Sequence, residues 1–509
     1  MYRIGILFQN RDFEHDVYEL IKAFYPGNEI ISLYEEDGAD YDIRFRVSRD
    51  EEGYTISYDN GIDKQAAHGA VIEGQSSGEA SDALISCDDT RRKNKDAIKY
   101  ALYQMLSRVT GKTLPWGNLT GIRPVKMAMG MLESGMKNTE IARYMREQYL
   151  VSPEKTALAV TIANRERDIL KNIDYENGYS LYVGIPFCPS ICLYCSFSSY
   201  PLERWRKYVE DYLDALIKEI QAVSQMMKNR KLDTVYIGGG TPTTLEPDQL
   251  RRLLSAITEY FPCEKLEEFT VEAGRPDSIT LEKLQAIREF PVTRISVNPQ
   301  TMNQETLDII GRRHTVEQTK NAFHMAREAG FDNINMDLIV GLPGEDITKV
   351  QHTLDEVKAL EPDSLTVHSL AVKRAARLNI FRDKYQEMTF ENNQEIMNLT
   401  MKTAYEMGMG PYYLYRQKNM AGNLENVGYA RHGLECLYNI LIMEERTDII
   451  GIGAGSSSKL IRREGDSDPV TGEMITGTRI DRVENCKSVD DYIARIDEMI
   501  DRKKQAFAK

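Results

Sequence analysis

The stretch "GIPFCPSICLYCSFSSY", residues 184–200, holds three of the seven cysteines of this 509-residue chain. Cys188, Cys192 and Cys195 follow the spacing CxxxCxxC, and the other four cysteines are scattered along the sequence. Structural zinc takes four ligands in paired knuckles, and catalytic zinc takes His or carboxylate ligands that this stretch lacks. Three thiolates on a tight loop instead favour a [4Fe-4S] cluster with one iron open to a further ligand.

The cysteines follow the first of six short apolar runs, each followed by a helical pattern. The runs are "LYVGI" (181–185), "DTVYIG" (233–238), "EFTVEA" (268–273), "TRISVN" (293–298), "NINMDLIVG" (333–341) and "SLTVHSL" (364–370). Alternating strands and helices predict parallel strands with right-handed crossovers. Six units are too few for a closed eight-fold barrel, so we predict an α/β fold, a partial (β/α)6 TIM-like barrel with its site at the C-terminal strand ends.

The remaining segments divide the chain into four predicted parts. Residues 1–90 alternate β-like runs with Asp/Gly turns and predict a small α+β module. Residues 91–175 show apolar residues at three- and four-residue spacing, broken at Pro115 and Pro124, and predict a helical connector. Residues 176–375 form the predicted barrel, and residues 376–509 a C-terminal α/β extension that covers the substrate.

Composition narrows the possible partners and compartment. The chain has 64 basic and 78 acidic residues, a net charge of -14, which argues against nucleic acid as a partner. It shows neither a signal peptide nor the ~20 consecutive apolar residues of a membrane span. Few cysteines, with three in one loop, suit thiolate ligands in a reducing compartment. We therefore predict a cytoplasmic protein.

Glycines and polar side chains follow the later strands in the same way. Gly239 and Gly240 lack Cβ atoms, so their backbone can approach a ligand closely; the GxxxxGK[ST] pattern of a phosphate loop is absent. Glu272, Gln300 and Asp337 end or follow the third, fourth and fifth strands. Polar groups on buried strands need partners, which either a ligand or internal salt bridges would supply.

Taken together, the motifs resemble those of the radical S-adenosylmethionine (SAM) superfamily. Within it, the order seen in oxygen-independent coproporphyrinogen III oxidases is matched by "YVGIPFCPSICLYC", "YIGGGTPT", "RISVNPQTMN", "IGRRHT" and "MDLIVGLPGE". The resemblance covers about residues 180–460 and is greatest to the long, HemZ-type members, which carry an extra N-terminal region.

The resemblance implies the cofactors and their ligands. Cys188, Cys192 and Cys195 would bind the [4Fe-4S] cluster, whose open iron holds the amino and carboxylate groups of SAM, and there would be room for two SAM molecules. The residues implied to bind or line the SAM sites are Tyr182, Tyr194, Gly239, Gly240, Thr241, Glu272, Gln300, Arg312, Asp337, Ala371 and Ser457. His314 has no assigned role.

The implied activity is an oxidoreductase reaction of porphyrin and haem biosynthesis. Two propionates of coproporphyrinogen III would become the vinyl groups of protoporphyrinogen IX, with an electron donor of the flavodoxin or ferredoxin type and an unidentified acceptor. Arg312, Arg313 and Arg416 are the predicted anchors for substrate carboxylates. Two alternatives are a haem chaperone of the same family and a radical SAM enzyme for another tetrapyrrole.

Three departures from the family pattern bear on these alternatives. Phe197 stands where some members have a fourth cysteine, and Gly184 stands where the family usually has histidine. Haem-carrying relatives have a His-Asn-x-x-Tyr-Trp segment, whereas this chain has Tyr438 before Asn439. The missing histidine argues against the haem chaperone.

Overall fold

A computed structural model describes residues 1–49, 53–70, 87–371, 376–380, 392–417, 420–467 and 473–507. The chain forms two compact units, Met1–Ala163 and Asn164–Lys509. The finer division into four sequence segments stays a prediction. Within the described ranges, every helix is too short or too polar to cross a membrane.

The first unit consists of a sheet and a series of helices. Its described strands are β1 (Arg3–Phe8), β2 (Glu29–Leu33), β3 (Ile43–Arg49), β4 (Gly53–Asp59) and β5 (Lys64–Ala70). Its helices are α1 (Glu14–Phe24), α2 (Cys87–Thr110), α3 (Pro124–Glu133), α4 (Asn138–Tyr149) and α5 (Pro153–Leu170), the last of which continues into the second unit.

The sheet of the first unit has the order β2-β1-β3-β4-β5. Strand β1 is parallel to both neighbours, and β3, β4 and β5 form an antiparallel meander. Alternating residues such as Phe45 and Val47 lie in one apolar core with Leu20 of α1 and Leu102 of α2. This arrangement agrees with the predicted α+β module, because a half-buried sheet needs a helical layer on its apolar face.

The predicted helix breaks coincide with a loop between α2 and α3. Helix α2 ends at Thr110, and α3 begins at Pro124, where the fixed φ of proline suits the first helical turn. The loop between them is held by Trp116, which is fully buried. In addition, Asn118 N donates to Tyr149 O at 2.9 Å, which fixes the loop to the end of α4.

The second unit contains the predicted barrel. Its described strands are β6 (Gly178–Ile185), β7 (Phe187–Cys188), β8 (Tyr200–Pro201), β9 (Lys231–Gly239), β10 (Glu268–Glu272), β11 (Arg294–Ser296), β12 (Ile334–Val340), β13 (Ser364–Ser369), β14 (Gly410–Tyr415), β15 (Asn426–Ala430), β16 (Asp448–Ile452), β17 (Ser457–Arg462) and β18 (Arg479–Glu484). Its further helices are α6 (Leu202–Trp205), α7 (Val209–Met227), α8 (Pro247–Tyr260), α9 (Leu281–Arg288), α10 (Gln304–Ile309), α11 (Val316–Glu328), α12 (Ile347–Leu360), α13 (Arg377–Ile380), α14 (Gln394–Glu406), α15 (Leu437–Glu444), α16 (Val489–Ala494) and α17 (Ile496–Phe507).

The six predicted strands are present and parallel, in the order β13-β12-β11-β10-β9-β6. They are buried along most of their length, as expected where helices cover a parallel sheet. The C-terminal extension lengthens this sheet at both ends: β16 joins parallel to β6 and continues into antiparallel β17 and β18, while β15 and β14 join antiparallel beyond β13. This confirms the partial (β/α)6 fold with a C-terminal α/β extension. In the part of the chain that the structure describes, the terminal strands β14 and β18 do not pair with each other.

Side-chain caps start the crossover helices directly after the strand-end loops. Thr315 Oγ1 accepts a hydrogen bond from Gln318 N at 3.1 Å at the start of α11. Asp346 Oδ1 accepts from Thr348 N and Lys349 N, both at 3.0 Å, at the start of α12. Such caps satisfy amide groups that would otherwise lack partners and so fix where each loop ends.

A fully buried ion pair joins the C-terminal helix α17 to α7. Lys503 Nζ donates to Glu219 Oε1 at 2.7 Å and to Asn485 Oδ1 at 2.5 Å, and both charged side chains are inaccessible to solvent. Glu219 Oε2 also accepts from Tyr492 Oη at 2.5 Å and from Gly453 N at 2.9 Å. The network therefore fixes the turn after β16, because Gly453 lies in that turn and is hydrogen-bonded to Glu219.

Replacing Lys503 with Ala should lower the free energy of unfolding by about 3–5 kcal/mol, because it leaves the Glu219 carboxylate buried without its counter-ion. The midpoint of urea unfolding measures this change. Lys504→Ala is the matched control, since the Lys504 ammonium is exposed and pairs with Asp501 on the helix surface; we expect a change within about 0.5 kcal/mol. Equal midpoints for the two variants would contradict the role given to this pair.

Candidate functional site

The cysteine loop, residues 186–201, leaves the C-terminal end of β6. Strands β7 and β8 close its base, where Phe187 pairs with Tyr200. Cys192 is buried, and Cys188 and Cys195 are half-buried. The three thiols therefore lie on one short loop at the strand end predicted to carry the site.

The cysteine loop is fixed to the segment that follows α10. Leu193 N donates to Ile310 O at 2.9 Å, and Ser190 Oγ donates to Gly311 O at 3.1 Å. These contacts join the loop after the first barrel strand, β6, to the segment after the fourth, β11, and so restrain the cysteine loop.

The three thiols share one electrostatic neighbourhood. Burial raises the pKa of Cys188 to about 11, and burial also raises the pKa of Cys195; the charge of Cys192 would add to both shifts. Within the described ranges, no set of three or more His, Cys, Asp or Glu side chains is arranged to hold a single metal ion.

The glycines after β9 permit a close approach of two backbones. Gly240 N donates to Ile185 O and Thr241 N to Phe187 O, both at 2.7 Å. A Cβ on Gly240 would lie 2.5 Å from Phe187 O, and Gly239 has a φ of 111°, so both positions require glycine. The sequence suggested that these glycines face a ligand, whereas the structure shows them against the start of the cysteine loop. Thr241 Oγ1 lies 3.6 Å from Cys188 Sγ.

Glu272 ends β10 beside the glycine segment. Its carboxylate accepts a hydrogen bond from Tyr236 Oη, and a Cβ on Gly238 would lie 3.2 Å from its Oε2 atom. Desolvation raises the pKa of Glu272 to about 7, the Tyr236 hydrogen bond opposes this, and the charge of Asp337 adds to it. Near neutral pH, both the protonated and the ionised form of Glu272 are therefore populated.

Asp337 lies on β12 and has the opposite pKa shift. Burial acts to raise the pKa of this carboxyl, but His368, Asn335 and Thr366 outweigh burial and bring it below its ordinary value. Asn335 Nδ2 donates to Asp337 Oδ1 at 2.7 Å, and His368 Nε2 lies 3.9 Å from Asp337 Oδ2. Asp337 therefore stays an ionised hydrogen-bond acceptor at neutral pH.

Gln300 takes a strained backbone conformation between β11 and β12. Its φ is 68°, a left-handed value uncommon for a residue with a side chain. Gln300 N donates to Asp337 O, and Ile339 N donates to Gln300 O, both at 2.9 Å. These bonds hold the strained residue beside Asp337.

Arg312 spans the ends of two strands. Its guanidinium donates to Asn298 O and, at 3.4 Å, to Gly274 O, which places it at the ends of β11 and β10. Arg312 also carries a charge that lowers the otherwise raised pKa of Tyr194, in the cysteine loop. The arginine thus links the loops that surround the three cysteines.

Several buried polar atoms among these residues have no hydrogen-bond partner within the described part of the chain. They are Gln300 Oε1, Arg312 Nε and Ser457 Oγ. Buried polar groups in proteins are normally satisfied, so unsatisfied ones mark places where a ligand or water can bind. A small molecule with hydroxyl, amino and carboxylate groups, such as SAM, fits this set of donors and acceptors.

Two tyrosines of neighbouring strands stack with a third on helix α15. Tyr182 of β6 lies beside Tyr236 of β9, and Tyr438 stacks on Tyr236 with 4.5 Å between ring centroids. The sequence prediction included Tyr182 but missed Tyr236 and Tyr438. Tyr182 and Tyr236 are direct partners in the strand register, so the matching tyrosines in "LYVGI" and "TVYIG" were the available signal.

The sheet order locates two further predicted residues, Ala371 and Ser457. Ala371 follows β13 and forms an isolated bridge with Met420, whereas Ser457 begins β17. These two positions lie at opposite ends of the parallel part of the sheet. Their assignment to SAM sites stays a prediction.

Arg275 is a buried site residue that the sequence prediction missed. It follows β10 in "EAGRPDS", and its Nη1 atom lies 3.3 Å from Cys192 Sγ. The available signal was an arginine between the glycine and proline that follow a strand-end carboxylate. No alternation or motif spacing singles it out.

The other basic residues of the site have different surroundings. Arg313 is exposed, while Arg416 is buried and donates to Asn423 Oδ1 at 2.8 Å. His314 is fully buried; burial and the charge of Arg312 lower its pKa to about 3, so the imidazole is neutral. Of the three predicted carboxylate anchors, Arg313 has the accessible guanidinium.

Comparison with known proteins agrees with this geometry. Residues 182–357 match the radical SAM superfamily. The chain is 40% identical over 437 residues to the oxygen-independent coproporphyrinogen-III oxidase-like protein HemZ of Bacillus subtilis, covering 84% of this chain and 85% of the relative. It is 32% identical over 280 residues to the haem chaperone HemW of the same organism, covering 54% of this chain and 70% of HemW.

Among solved structures, the fold is similar to coproporphyrinogen III oxidase (HemN) from Escherichia coli, a radical SAM enzyme. The TM-score is 0.50 at 24% identity, over 66% of this chain and 73% of HemN. The cofactors of the chain are accordingly a [4Fe-4S] cluster and SAM. With three loop cysteines, a partial barrel and this extent of identity, the chain belongs to the radical SAM superfamily and, within it, to the family of HemZ-type coproporphyrinogen-III oxidase-like proteins.

Proposed function

We propose that this protein is an oxygen-independent coproporphyrinogen III dehydrogenase of haem biosynthesis. The observation that carries the proposal is the meeting of the cysteine loop with polar strand-end residues in a chain 40% identical to a coproporphyrinogen-III oxidase-like protein. Thr241 Oγ1 lies 3.6 Å from Cys188 Sγ, and Arg275 Nη1 lies 3.3 Å from Cys192 Sγ. These contacts support a single site for a cluster, a SAM molecule and a substrate side chain.

In this proposal Cys188, Cys192 and Cys195 hold the cluster. When bound and reduced, the cluster and SAM supply a carbon-centred radical that abstracts a hydrogen atom from the substrate. The chain contributes the surroundings: Cys192 is buried, and the backbone of Gly240 lies against that of Phe187 at the start of the loop.

The strand-end side chains then bind and orient SAM. Asp337, which stays ionised, accepts hydrogen bonds from hydroxyl or amino groups. Glu272, with a pKa of about 7, accepts or donates according to its protonation. Gln300 Oε1 and Arg312 Nε, both buried without partners among the described residues, supply a further acceptor and donor.

The proposed reaction has a simple balance for each propionate. The side chain loses one hydrogen atom, one CO2 and one electron, and a vinyl group remains. For each propionate, one electron from a donor of the flavodoxin or ferredoxin type would be used to split one SAM into methionine and a deoxyadenosyl group. That group would take up the hydrogen atom as 5′-deoxyadenosine, and the electron released with CO2 would pass to an external acceptor. Arg313, which is exposed and follows α10, is the proposed anchor for a substrate carboxylate.

A second candidate is haem binding, because HemW is 32% identical over 280 residues. Tyr438 occupies the position at which haem-carrying relatives have histidine. It is 5% exposed and stacks against Tyr236, which leaves it poorly placed to reach a haem iron. This contact favours the dehydrogenase over the chaperone.

The cysteine assignment predicts the iron content. Anaerobically reconstituted protein should hold about four irons per chain, and Cys188→Ala, Cys192→Ala or Cys195→Ala should each abolish the cluster, as measured by iron analysis and absorbance. Cys263→Ala is the control, since Cys263 is buried before β10, outside the cysteine loop. Full iron loading of a variant lacking all three loop cysteines would disprove the assignment.

Asp337→Asn should retain the cluster but weaken SAM binding by about 5- to 150-fold, because one charged acceptor worth about 1–3 kcal/mol is lost. Anaerobic equilibrium dialysis with labelled SAM measures the dissociation constant. Asp332→Asn, an exposed change just before β12, is the control and should bind SAM normally. Equal affinity in the two variants would move SAM away from β12.

The decisive experiment supplies coproporphyrinogen III, SAM and dithionite to cluster-loaded protein under anaerobic conditions. We expect loss of two CO2 per substrate by mass analysis, with methionine and 5′-deoxyadenosine formed in step. SAM cleavage that leaves coproporphyrinogen III intact, with several electron acceptors, would reject the dehydrogenase. Stoichiometric haem binding by the same preparation would support the chaperone instead.

A further inference from the structure

Arg275 connects the loop after β10 to the cysteine loop. It is 3% exposed, and its Nη1 atom lies 3.3 Å from Cys192 Sγ and 3.3 Å from Ser190 O. Its Nη2 atom donates to Ser190 Oγ at 3.1 Å. The edge of the guanidinium that carries Nη1 is thus directed at Cys192, a proposed cluster ligand.

The opposite edge of the guanidinium, formed by Nε and Nη2, binds Asp277. Arg275 Nε donates to Asp277 Oδ1 at 2.9 Å, and Nη2 donates to Oδ2 at 2.7 Å. The backbone is fixed as well, since Ser278 N and Oγ both donate to Arg275 O, at 2.9 and 2.7 Å. This two-point contact sets the angle at which the remaining N–H group reaches the sulfur.

Holding the cysteine loop does not by itself require a buried cation. The loop is already hydrogen-bonded to Ile310 and Gly311 through Leu193 and Ser190. Burying a charged pair costs desolvation free energy, and a neutral donor would serve a carbonyl equally well. A cationic donor differs from a neutral one in its effect on a negatively charged sulfur.

We propose that Arg275 is a positioning residue that donates an N–H···S hydrogen bond to the Cys192 thiolate and raises the reduction potential of the cluster. This inference rests on the cluster site proposed above. Hydrogen bonds to the ligating sulfurs and nearby positive charge favour the reduced cluster, which carries one more negative charge. Asp277 limits the effect by offsetting part of the guanidinium charge.

The test is a redox titration of the reconstituted full-length chain, with dithionite as reductant and the reduced cluster followed by electron paramagnetic resonance. At the wild-type midpoint potential, Arg275→Gln should lower the ratio of reduced to oxidised cluster about tenfold, a shift of about 59 mV for a one-electron couple. Arg275→Lys, which keeps the charge but not the planar fork, should fall between the two.

Three further variants separate charge from loop stability. Asp277→Asn removes the opposing carboxylate and should shift the midpoint in the positive direction. Ser190→Ala removes a loop contact without changing charge and should leave the midpoint unchanged. Arg252→Gln, an exposed arginine on α8 paired with Glu210, is the matched control for loss of a guanidinium and should also leave it unchanged.

Each outcome decides the inference. A wild-type midpoint in a fully loaded Arg275→Gln variant would overturn it while leaving the cluster site intact. If Arg275→Gln fails to load iron, unchanged midpoints in both Arg275→Lys and Asp277→Asn would overturn it. A Ser190→Ala shift equal to that of Arg275→Gln would assign the effect to loop geometry. Absence of a four-iron cluster in the wild-type protein would instead reject the proposed site.

Discussion

The backbone of residues 239–241 lies against that of residues 185–187. The position of the cysteine loop depends on this contact, because the loop begins at residue 186. Two amide-to-carbonyl hydrogen bonds of 2.7 Å join the end of β9 to the start of the loop. The approach is possible because Gly240 has no Cβ. It places Thr241 beside Cys188 and fixes the base of the loop to the end of β9. A side chain at position 240 would separate these elements before any cofactor bound.

The same barrel interior gives two carboxylates opposite properties. Desolvation dominates at Glu272, whose pKa rises to about 7, whereas polar neighbours dominate at Asp337, whose pKa falls. The difference arises from partners rather than depth: Glu272 has a phenol, and Asp337 has an amide and an imidazole. Near neutral pH, Asp337 therefore provides a constant negative charge, whereas Glu272 can gain or lose a proton when a ligand binds.

Much of the architecture was predictable because local patterns determine it. The six parallel strands follow from apolar runs, and the cysteine loop from its spacing. The Glu219–Lys503 pair was not predictable, because the two residues are far apart in sequence and look like ordinary surface charges on amphipathic helices. Arg275 escaped for a related reason: its role depends on where Cys192 lies after folding. Charged residues that become buried through long-range contacts carry no periodic signal of their own.

The position of Lys503 has a consequence for synthesis. Glu219 lies in the first crossover helix after the cysteine loop, yet its counter-ion is made almost 300 residues later, at position 503. During translation, the barrel strands emerge while this carboxylate still lacks its cation. The ribosome-bound chain therefore cannot reach the final packing of the second unit before residue 503 has emerged.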